Sequence, residues 1–224
     1  MSICIIPARA GSKRIKNKNI KKINGTPLIG RTIQIAKKSG LFKRIIVSTD
    51  SLHIASIAKK YGAEVPFLRN KKLSDDYTPT FKVLIDTVRK IGSQKELFHF
   101  CIYPTSVLIN KNDLKLAFSK IKKTKTEYIF PISKFENNPY RSLIIKKNKF
   151  VRFAWPKYQM KRGQDLDHLY YDTGSFYIYK TKTLLKVTEK NLIPKNSTYI
   201  ILKKKLIDIN YPRDLVLLKK ALNK

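Results

Sequence analysis

The stretch "IIPARAGSKRIKNKNI" (residues 5–20) joins a short apolar run to a loop that carries five cationic side chains. The apolar lead-in, residues 3–6, is too short to span a membrane and predicts a buried strand that ends at Pro7. The cationic side chains should gather at the carboxyl end of that strand, where open α/β sheets bind their ligands. They belong to Arg9, Lys13, Arg14, Lys16 and Lys18.

The polar residues of this loop suit a polyphosphate, because phosphate oxygens accept hydrogen bonds from backbone amides and from Lys and Arg. Gly11 is expected to adopt a backbone conformation that other residues avoid, and Ser12, Asn17 and Asn19 add further donors. A nucleoside triphosphate is the predicted ligand. The alternative is a solvated basic loop, since the segment matches neither the Walker loop nor the dinucleotide fingerprint.

The composition predicts one α/β domain over residues 1–224, because a chain of 224 residues with 42% hydrophobic content can bury a sizeable core. We see no internal repeat, linker, membrane segment or secretory pattern, and we expect a cytoplasmic protein without a membrane partner. Cys4 and Cys101 lie in apolar runs, where cysteine behaves as a small hydrophobe, so neither a disulfide nor a metal role is expected.

The net charge of +33 keeps nucleic-acid binding open as a function class. The 48 Lys and Arg residues are nevertheless spread along the whole chain, which is also rich in Ile and Asn. This pattern favours a compositional bias that leaves a lysine-rich solvated surface. We therefore expect nonspecific RNA binding at low salt and no specific nucleic-acid partner.

Helix and strand patterns alternate from the first strand onward, which predicts a mostly parallel sheet with helices on both faces. Three predicted helices end at Gly40, Gly62 and Gly92. "YRSLIIKKNKFVRFAW" (residues 140–155) then indicates a hairpin around "KKNK". We expect the elements that follow the hairpin to form a mixed, later-added edge of the sheet.

Polar residues at the predicted strand ends are candidates for a site, and each has a structural alternative. Asp50 is expected to cap the helix that follows it, and Thr105 and Ser106 to cap the next turn. Asp75 and Asp76 form a predicted helix-entry cluster. The sequence pattern predicts that His53 is solvated and that His99 lies in the core, and it places His168 in a polar loop.

Asp208, in "KLIDINYPRDL" (residues 205–215), follows a predicted terminal strand and is a candidate Mg²⁺ ligand. Mg²⁺ prefers oxygen donors and often binds through one or two carboxylates together with phosphates. The alternative is a helix cap before Pro212. We find neither a Ser-His-Asp order nor a nucleophile elbow.

Five segments, in this order along the chain, carry a resemblance to a known family: residues 5–20, "LIGRTIQIA" (28–36), "RIIVSTDS" (44–51), "YGAEVPFLRNKKLSDDYTPT" (61–80) and "QDLDHLYYDTGSFY" (164–177). Together they resemble the cytidylyltransferases that activate nonulosonic acids, and the last segment most resembles the pseudaminic acid branch. The resemblance implies a Rossmann-like nucleotide-diphospho-sugar transferase fold with a hairpin excursion. It also implies Mg²⁺-dependent conversion of CTP and an anionic nine-carbon sugar acid into a CMP-sugar and pyrophosphate.

The resemblance also implies roles for individual residues. Catalytic roles fall on Arg9, Lys13, Lys18 and Asp208, with Asp208 and Asn210 at the metal. Nucleotide-binding roles fall on Ala8, Arg9, Gly11, Ser12, Asn19, Arg69 and Thr80. Sugar-side roles fall on Tyr103, Thr105, Ser106, Arg141, Arg162, Gln164 and Tyr171. Residues 138–170 would form the excursion, which serves homodimerisation and the sugar site.

Two departures from the family pattern bear on the substrate and on the metal. Sialic acid relatives usually have Gln where this chain has Tyr103, which argues against N-acetylneuraminate. The family's Asp-x-Asp pattern is Asp208-Ile209-Asn210 here. The open alternatives are a legionaminic or N-acetylneuraminic acid cytidylyltransferase and, in a different class, a basic nucleic-acid-binding domain. No general base is identified.

Overall fold

The computed structural model describes residues 2–146, 149–204 and 206–223. Its helices are α1 (Leu28–Ser39), α2 (Leu52–Lys60), α3 (Thr80–Lys90), α4 (Lys111–Lys123), α5 (Thr181–Leu184) and α6 (Pro212–Leu222). Its strands are β1 (Ser2–Pro7), β2 (Lys22–Ile23), β3 (Thr26–Pro27), β4 (Phe42–Ser48), β5 (Phe98–Ile102), β6 (Tyr128–Lys134), β7 (Leu143–Ile145), β8 (Val151–Phe153), β9 (Tyr170–Asp172), β10 (Phe176–Lys180) and β11 (Ser197–Ile201).

The central sheet has the strand order β11-β6-β10-β5-β1-β4, and β9 pairs with the end of β6. Strand β1 runs parallel to β4 and β5, and β11 runs parallel to β6. Strand β10 runs antiparallel to both β5 and β6. The predicted mixed, mostly parallel sheet is therefore confirmed.

The expected position of the antiparallel part is wrong. Strand β10 does not extend an edge; it lies inside the sheet, between β5 and β6. Phe176 and Ile178 of this strand are fully buried, as an interior strand requires. Sequence periodicity shows that a strand is buried, but it does not identify the strands that pair with it.

Helices cover both faces of the sheet, as predicted. On one face α1, α2 and α4 pack against alternate strand residues such as Cys4 and Ile6. On the other face α3 and α5 pack against Ile3 and Ile5. The alternation along β1 therefore fills two apolar cores, and the carboxyl ends of β1 and β5 remain uncovered for the polar loops that follow them.

The hairpin excursion stands apart from the central sheet as the antiparallel pair β7–β8, in which Leu143 lies opposite Phe153. Part of the predicted "KKNK" turn lies outside the described residues. The excursion exposes large apolar side chains: Leu143 is 55% exposed, Ile145 74% and Met160 89%. Among the described residues, no helix has the length and apolar character that crossing a membrane requires.

His99 lies in the core, as predicted, between two hydroxyl groups. Its Nε2 is 2.9 Å from Ser93 Oγ and its Nδ1 is 2.8 Å from Thr181 Oγ1. Burial disfavours the charged imidazolium and lowers the pKa of His99 to about 4.

This histidine should make the protein less stable in mild acid. Because the unfolded chain binds the proton with the ordinary pKa of 6.5, stability present above pH 6.5 should be lost as the pH falls toward 4. The loss should approach about 3 kcal/mol of unfolding free energy. Urea unfolding between pH 7 and 4 measures it; His99→Gln should flatten the dependence, and the exposed His53→Gln should not.

Candidate active site

A cleft of about 510 Å³ opens at the carboxyl ends of β1 and β5. It brings together residues that are distant in the sequence, from the basic loop after β1, the segment before α3 and the turn after β5. Of the predicted site residues, the ones lining it are Arg9, Ser12, Lys13, Lys18, Asn19, Arg69, Thr80, Tyr103 and Thr105.

Three hydrogen bonds shape the basic loop. The Ala8 amide donates to the Ser48 carbonyl (2.9 Å), so that amide is not available to a ligand. Asn19 Nδ2 donates to the Arg9 carbonyl (2.9 Å), and the Ala10 amide donates to Asp50 Oδ1 (2.9 Å). The expectation that Asp50 caps α2 is wrong, because Ser51 caps that helix and Asp50 fastens the loop instead.

The special backbone conformation of the loop lies at Asn17 and not at Gly11. Asn17 has a φ of 58°, in the left-handed region that asparagine tolerates, and it precedes a short 3-10 turn at Lys18–Ile20. Gly11 is exposed and does not have a positive φ, so the conformation expected for it is wrong. Its predicted contact with the nucleotide stays a prediction.

Asp76 lies between two of the predicted phosphate-binding cations. Its Oδ1 is 2.5 Å from Arg9 Nη2, and its Oδ2 is 2.5 Å from Lys13 Nζ. The hydrogen bonds from Lys13 and Arg9 lower the pKa of the Asp76 carboxyl below its usual value. Asp76 lies in the segment that enters α3, as predicted, and in addition it pairs with the basic loop. Its neighbour Asp75 accepts from the amides of Tyr77 and Thr78 and so forms the turn that presents Asp76.

Lys18 joins the basic loop to the segment that holds Asp208. Its Nζ donates to the Ile209 carbonyl (2.9 Å). Beneath this contact, Ile15 and Ile209 are buried in one apolar cluster with Leu28, which holds the two segments together. Burial lowers the pKa of Lys18, and the charge of Asp208 partly opposes this effect.

Asp208 lies between the terminal strand β11 and helix α6, in the predicted order, but not directly at the end of the strand. Strand β11 ends at Ile201, and residues 206–210 form neither helix nor strand. Asp208 is not the cap of α6 either, because Tyr211 holds the cap position and Asp214 Oδ2 accepts from the amides of Asn210 (2.8 Å) and Tyr211 (2.7 Å). The exposed carboxylate of Asp208 accepts from Asn210 Nδ2 at 2.5 Å.

The donor set around Asp208 fits a Mg²⁺ ion that takes most of its ligands from phosphates and water. Among the described residues, no group of three or more His, Cys, Asp or Glu side chains is placed to hold a metal. One exposed carboxylate together with substrate phosphates is nevertheless a common way to bind Mg²⁺. Asn210 directs its NH₂ group toward Asp208, so its carbonyl oxygen would have to turn over to reach a shared ion.

Arg69 carries an unused hydrogen-bond donor in the wall of the cleft. The residue is 5% exposed, its Nε donates to Ser74 Oγ (3.0 Å), and its Nη2 has no partner. Burial lowers the pKa of the guanidinium, although Asp50 partly compensates. Because a buried charged donor without a partner is costly, the cleft is built to receive an acceptor at Arg69.

Thr80 and Tyr103 also line the cleft. The Thr80 and Tyr103 hydroxyl groups are 2.7 Å apart. Burial raises the pKa of Tyr103 above its ordinary value, so the phenol is neutral near pH 7 and acts as a hydrogen-bonding wall. The rings of Tyr103 and Tyr177 pack edge to face, with 5.9 Å between their centroids.

Thr105 connects the cleft to a small cavity of about 30 Å³ that Ser106 and Asp208 also line. Ser106 Oγ donates to the Ser175 carbonyl (2.7 Å). Asn110 caps helix α4. The predicted capping of the next turn by Thr105 and Ser106 stays a prediction.

Four predicted sugar-side residues lie on the excursion side and do not line the cleft. Arg141 Nη1 donates to the carbonyls of Gln159 and Lys161, both at 3.1 Å. Arg162 is paired with Asp165, and Tyr171 packs its ring against Phe135. Gln164 is exposed on a 3-10 turn, and His168 is exposed in the loop beyond it.

Comparison with known proteins gives the family. A family model described as "Cytidylyltransferase" matches residues 3–201. The chain belongs to the cytidylyltransferase family. Its catalysis is therefore cytidylyl transfer, and the cleft with its cationic loop is the candidate active site of this cytidylyltransferase.

Individual cytidylyltransferases resemble the chain over nearly its full length. A pseudaminic acid cytidylyltransferase of Campylobacter jejuni is 37% identical over 96% of this chain and 93% of its own. A CMP-N,N'-diacetyllegionaminic acid synthase of Legionella pneumophila is 30% identical over 98% of this chain and 95% of its own. The solved structure of a CMP:2-keto-3-deoxy-manno-octonic acid synthetase complexed with CTP shares the fold, with a TM-score of 0.73 at 13% identity, and covers 99% of this chain and 98% of that one. The predicted nucleotide-sugar transferase fold is thereby confirmed.

Sequence reasoning named Asp50 and Asp76 as candidates for the site but did not identify the residues that they contact. Asp76 pairs with Arg9 and Lys13, and Asp50 holds the Ala10 amide. Both follow or precede predicted strands and helices, so their positions marked them as candidates for a polar site. Their partners come from other parts of the chain, and nothing in the local sequence identifies those partners.

Proposed function

We propose that this cytidylyltransferase transfers the cytidylyl group of CTP to the anomeric hydroxyl of pseudaminic acid, giving the CMP-sugar and pyrophosphate. The observation that carries the proposal is the similarity to pseudaminic acid cytidylyltransferases, at 37% and 36% identity over 96% of the chain. Legionaminic acid synthases are 33% and 30% identical. An N-acylneuraminate cytidylyltransferase is 29% identical.

In the proposed reaction the anomeric oxygen forms a bond to the α-phosphorus, and the bond from this phosphorus to the pyrophosphate oxygen breaks. Arg9, Lys13 and Lys18 bind the anionic oxygens and stabilise the charge that develops on the departing pyrophosphate. Arg69 and Thr80 hold the nucleoside, with the unpaired Nη2 of Arg69 as the donor for an acceptor on the base or ribose. The chain's contribution is thus mainly positioning and charge neutralisation.

The proposal includes Mg²⁺ bound by Asp208, with Asn210 as a second candidate ligand. When bound, the ion supplies positive charge beside the triphosphate. Burial lowers the pKa of Lys18, and the nearby charge of Asp208 partly offsets this effect, so its carboxylate favours the charged ammonium in a partly buried position.

The proposal further includes a cytoplasmic homodimer assembled through residues 138–170. The support is the apolar surface of the excursion, where Leu143, Ile145 and Met160 are more than half exposed. Large exposed apolar side chains concentrated in one segment favour a protein–protein interface there. Arg141, Arg162, Gln164 and Tyr171 retain their proposed sugar-side roles in this assembly.

Replacing Gln164 or Tyr171 should raise the Michaelis constant for the sugar acid and leave the affinity for CTP nearly unchanged. Loss of uniform binding to one substrate changes its Michaelis constant without an equal change for the other. Steady-state kinetics of Gln164→Ala and Tyr171→Phe, with each substrate varied in turn, measures the effect, and Lys157→Ala on the same excursion serves as control. A loss of CTP affinity in either variant would contradict the assignment.

Pyrophosphate release from CTP with pseudaminic, legionaminic and N-acetylneuraminic acids tests the proposed function. We expect the highest kcat/KM with pseudaminic acid. Preference for legionaminic acid would support the second candidate, which the relatives at 33% and 30% identity favour. Absence of turnover with every sugar acid, together with RNA binding that persists at physiological salt, would favour the nucleic-acid-binding alternative.

A further inference from the structure

Asp76 occupies the two cations that a triphosphate would need. Its two carboxylate oxygens lie 2.5 Å from Arg9 Nη2 and from Lys13 Nζ, and all three residues line the cleft. This geometry, with one oxygen on each cation, is the one that a bridging phosphate group would adopt. The carboxylate therefore contacts the same donor groups that a bridging phosphate would use.

A triphosphate and the Asp76 carboxylate oppose each other at these two cations, because like charges side by side repel. We propose that Asp76 is an exchangeable internal anion: CTP displaces it from Arg9 and Lys13, and it returns to them as pyrophosphate leaves. This inference rests on the proposed function only in taking CTP as the donor. It assigns Asp76 a positioning role in substrate entry and product release.

Asp76 belongs to a hydrogen-bonded turn in the wall of the cleft. Asp75 Oδ1 accepts from the amides of Tyr77 (2.9 Å) and Thr78 (2.6 Å), which makes residues 75–78 a small unit. Asp75, Asp76 and Thr78 all line the cleft. Release of Asp76 leaves this unit attached, because the Thr78 hydroxyl donates to the Lys72 carbonyl (3.2 Å).

Asp76→Asn tests the exchange with inorganic pyrophosphate and CTP as probes and without any sugar. Because the variant removes the competing charge from two partly exposed ion pairs, it should bind pyrophosphate about three- to ten-fold more tightly than the wild type. The dissociation constant for CTP, measured in the same way, should fall as well. Asp76→Glu, which keeps the charge, should stay within about two-fold of the wild type.

Asp75→Asn is the matched control, because it removes the same charge one residue away and keeps an oxygen that can accept from Tyr77 and Thr78. We expect its pyrophosphate affinity to change by less than about two-fold. Equal tightening in both variants would show a general charge effect and overturn the exchange. Unchanged or weaker pyrophosphate binding in Asp76→Asn would also overturn the exchange, because the carboxylate would then serve to hold Arg9 and Lys13 in position.

Calorimetric titration with pyrophosphate measures binding without a sugar acid, so its result does not depend on which sugar the enzyme uses. Inactivity toward every sugar acid, with pyrophosphate binding intact, overturns the proposed function and leaves the exchange standing. A wild-type protein that binds neither pyrophosphate nor CTP overturns both.

Discussion

Asp208→Ala should lose nearly all turnover, by about 100-fold or more. Asp208 supplies the only carboxylate in residues 206–210 and lines the cavity next to Thr105. Without it, this segment offers no carboxylate to a divalent cation, and Lys18 loses the charge that supports its own protonated form. The fold should persist because the side chain of Asp208 is exposed, with Asn210 as its hydrogen-bond partner.

The measurement is turnover against Mg²⁺ concentration at fixed CTP, with circular dichroism as a check on folding. Asn210→Asp is the informative partner variant, because it restores an Asp-x-Asp pair and should lower the Mg²⁺ concentration needed for half-maximal turnover. The effect of this variant on the maximal rate depends on whether tighter metal binding slows pyrophosphate release. Near-normal activity in Asp208→Ala would show that the metal is held by the triphosphate and another carboxylate.

Arg9→Ala and Lys18→Ala should each weaken CTP binding and slow turnover. Each variant removes a charge-assisted contact of roughly 1.5 to 3 kcal/mol, which corresponds to about ten- to one-hundred-fold in affinity. Lys16→Ala is the control within the same loop, because Lys16 is exposed and does not line the cleft. Its affinity for CTP should stay close to that of the wild type.

The two variants should differ in one respect. Lys18 Nζ also donates to the Ile209 carbonyl, so Lys18→Ala should loosen the segment that holds Asp208 and raise the Mg²⁺ requirement. Arg9 has no such contact with that segment, and Arg9→Ala should leave the Mg²⁺ requirement nearly unchanged. Unchanged CTP kinetics in both variants, with native circular dichroism, would refute the phosphate-binding role of the loop.

The sequence by itself determined the parts of this protein that depend on local pattern. The buried strand before Pro7, the helices closed by Gly40, Gly62 and Gly92, and the burial of Leu28, Ile29 and Ile33 on α1 all follow from periodicity and end signals. The basic loop could be located because charge and apolar residues adjoin at a strand end. These features depend only on how a single segment of the chain interacts with water.

The tertiary structure alone decided which segments meet. Strand β10 inserts between β5 and β6, Asp76 pairs with Arg9 and Lys13, and Lys18 meets the Ile209 carbonyl from a position 191 residues away. These pairings depend on how the whole chain packs around its apolar cores. Many residues that are distant in sequence have the same local chemistry, and any of them could pair with a given cation or strand edge. Local pattern therefore selects the residues that need a partner, and the packing of the complete chain selects the partner.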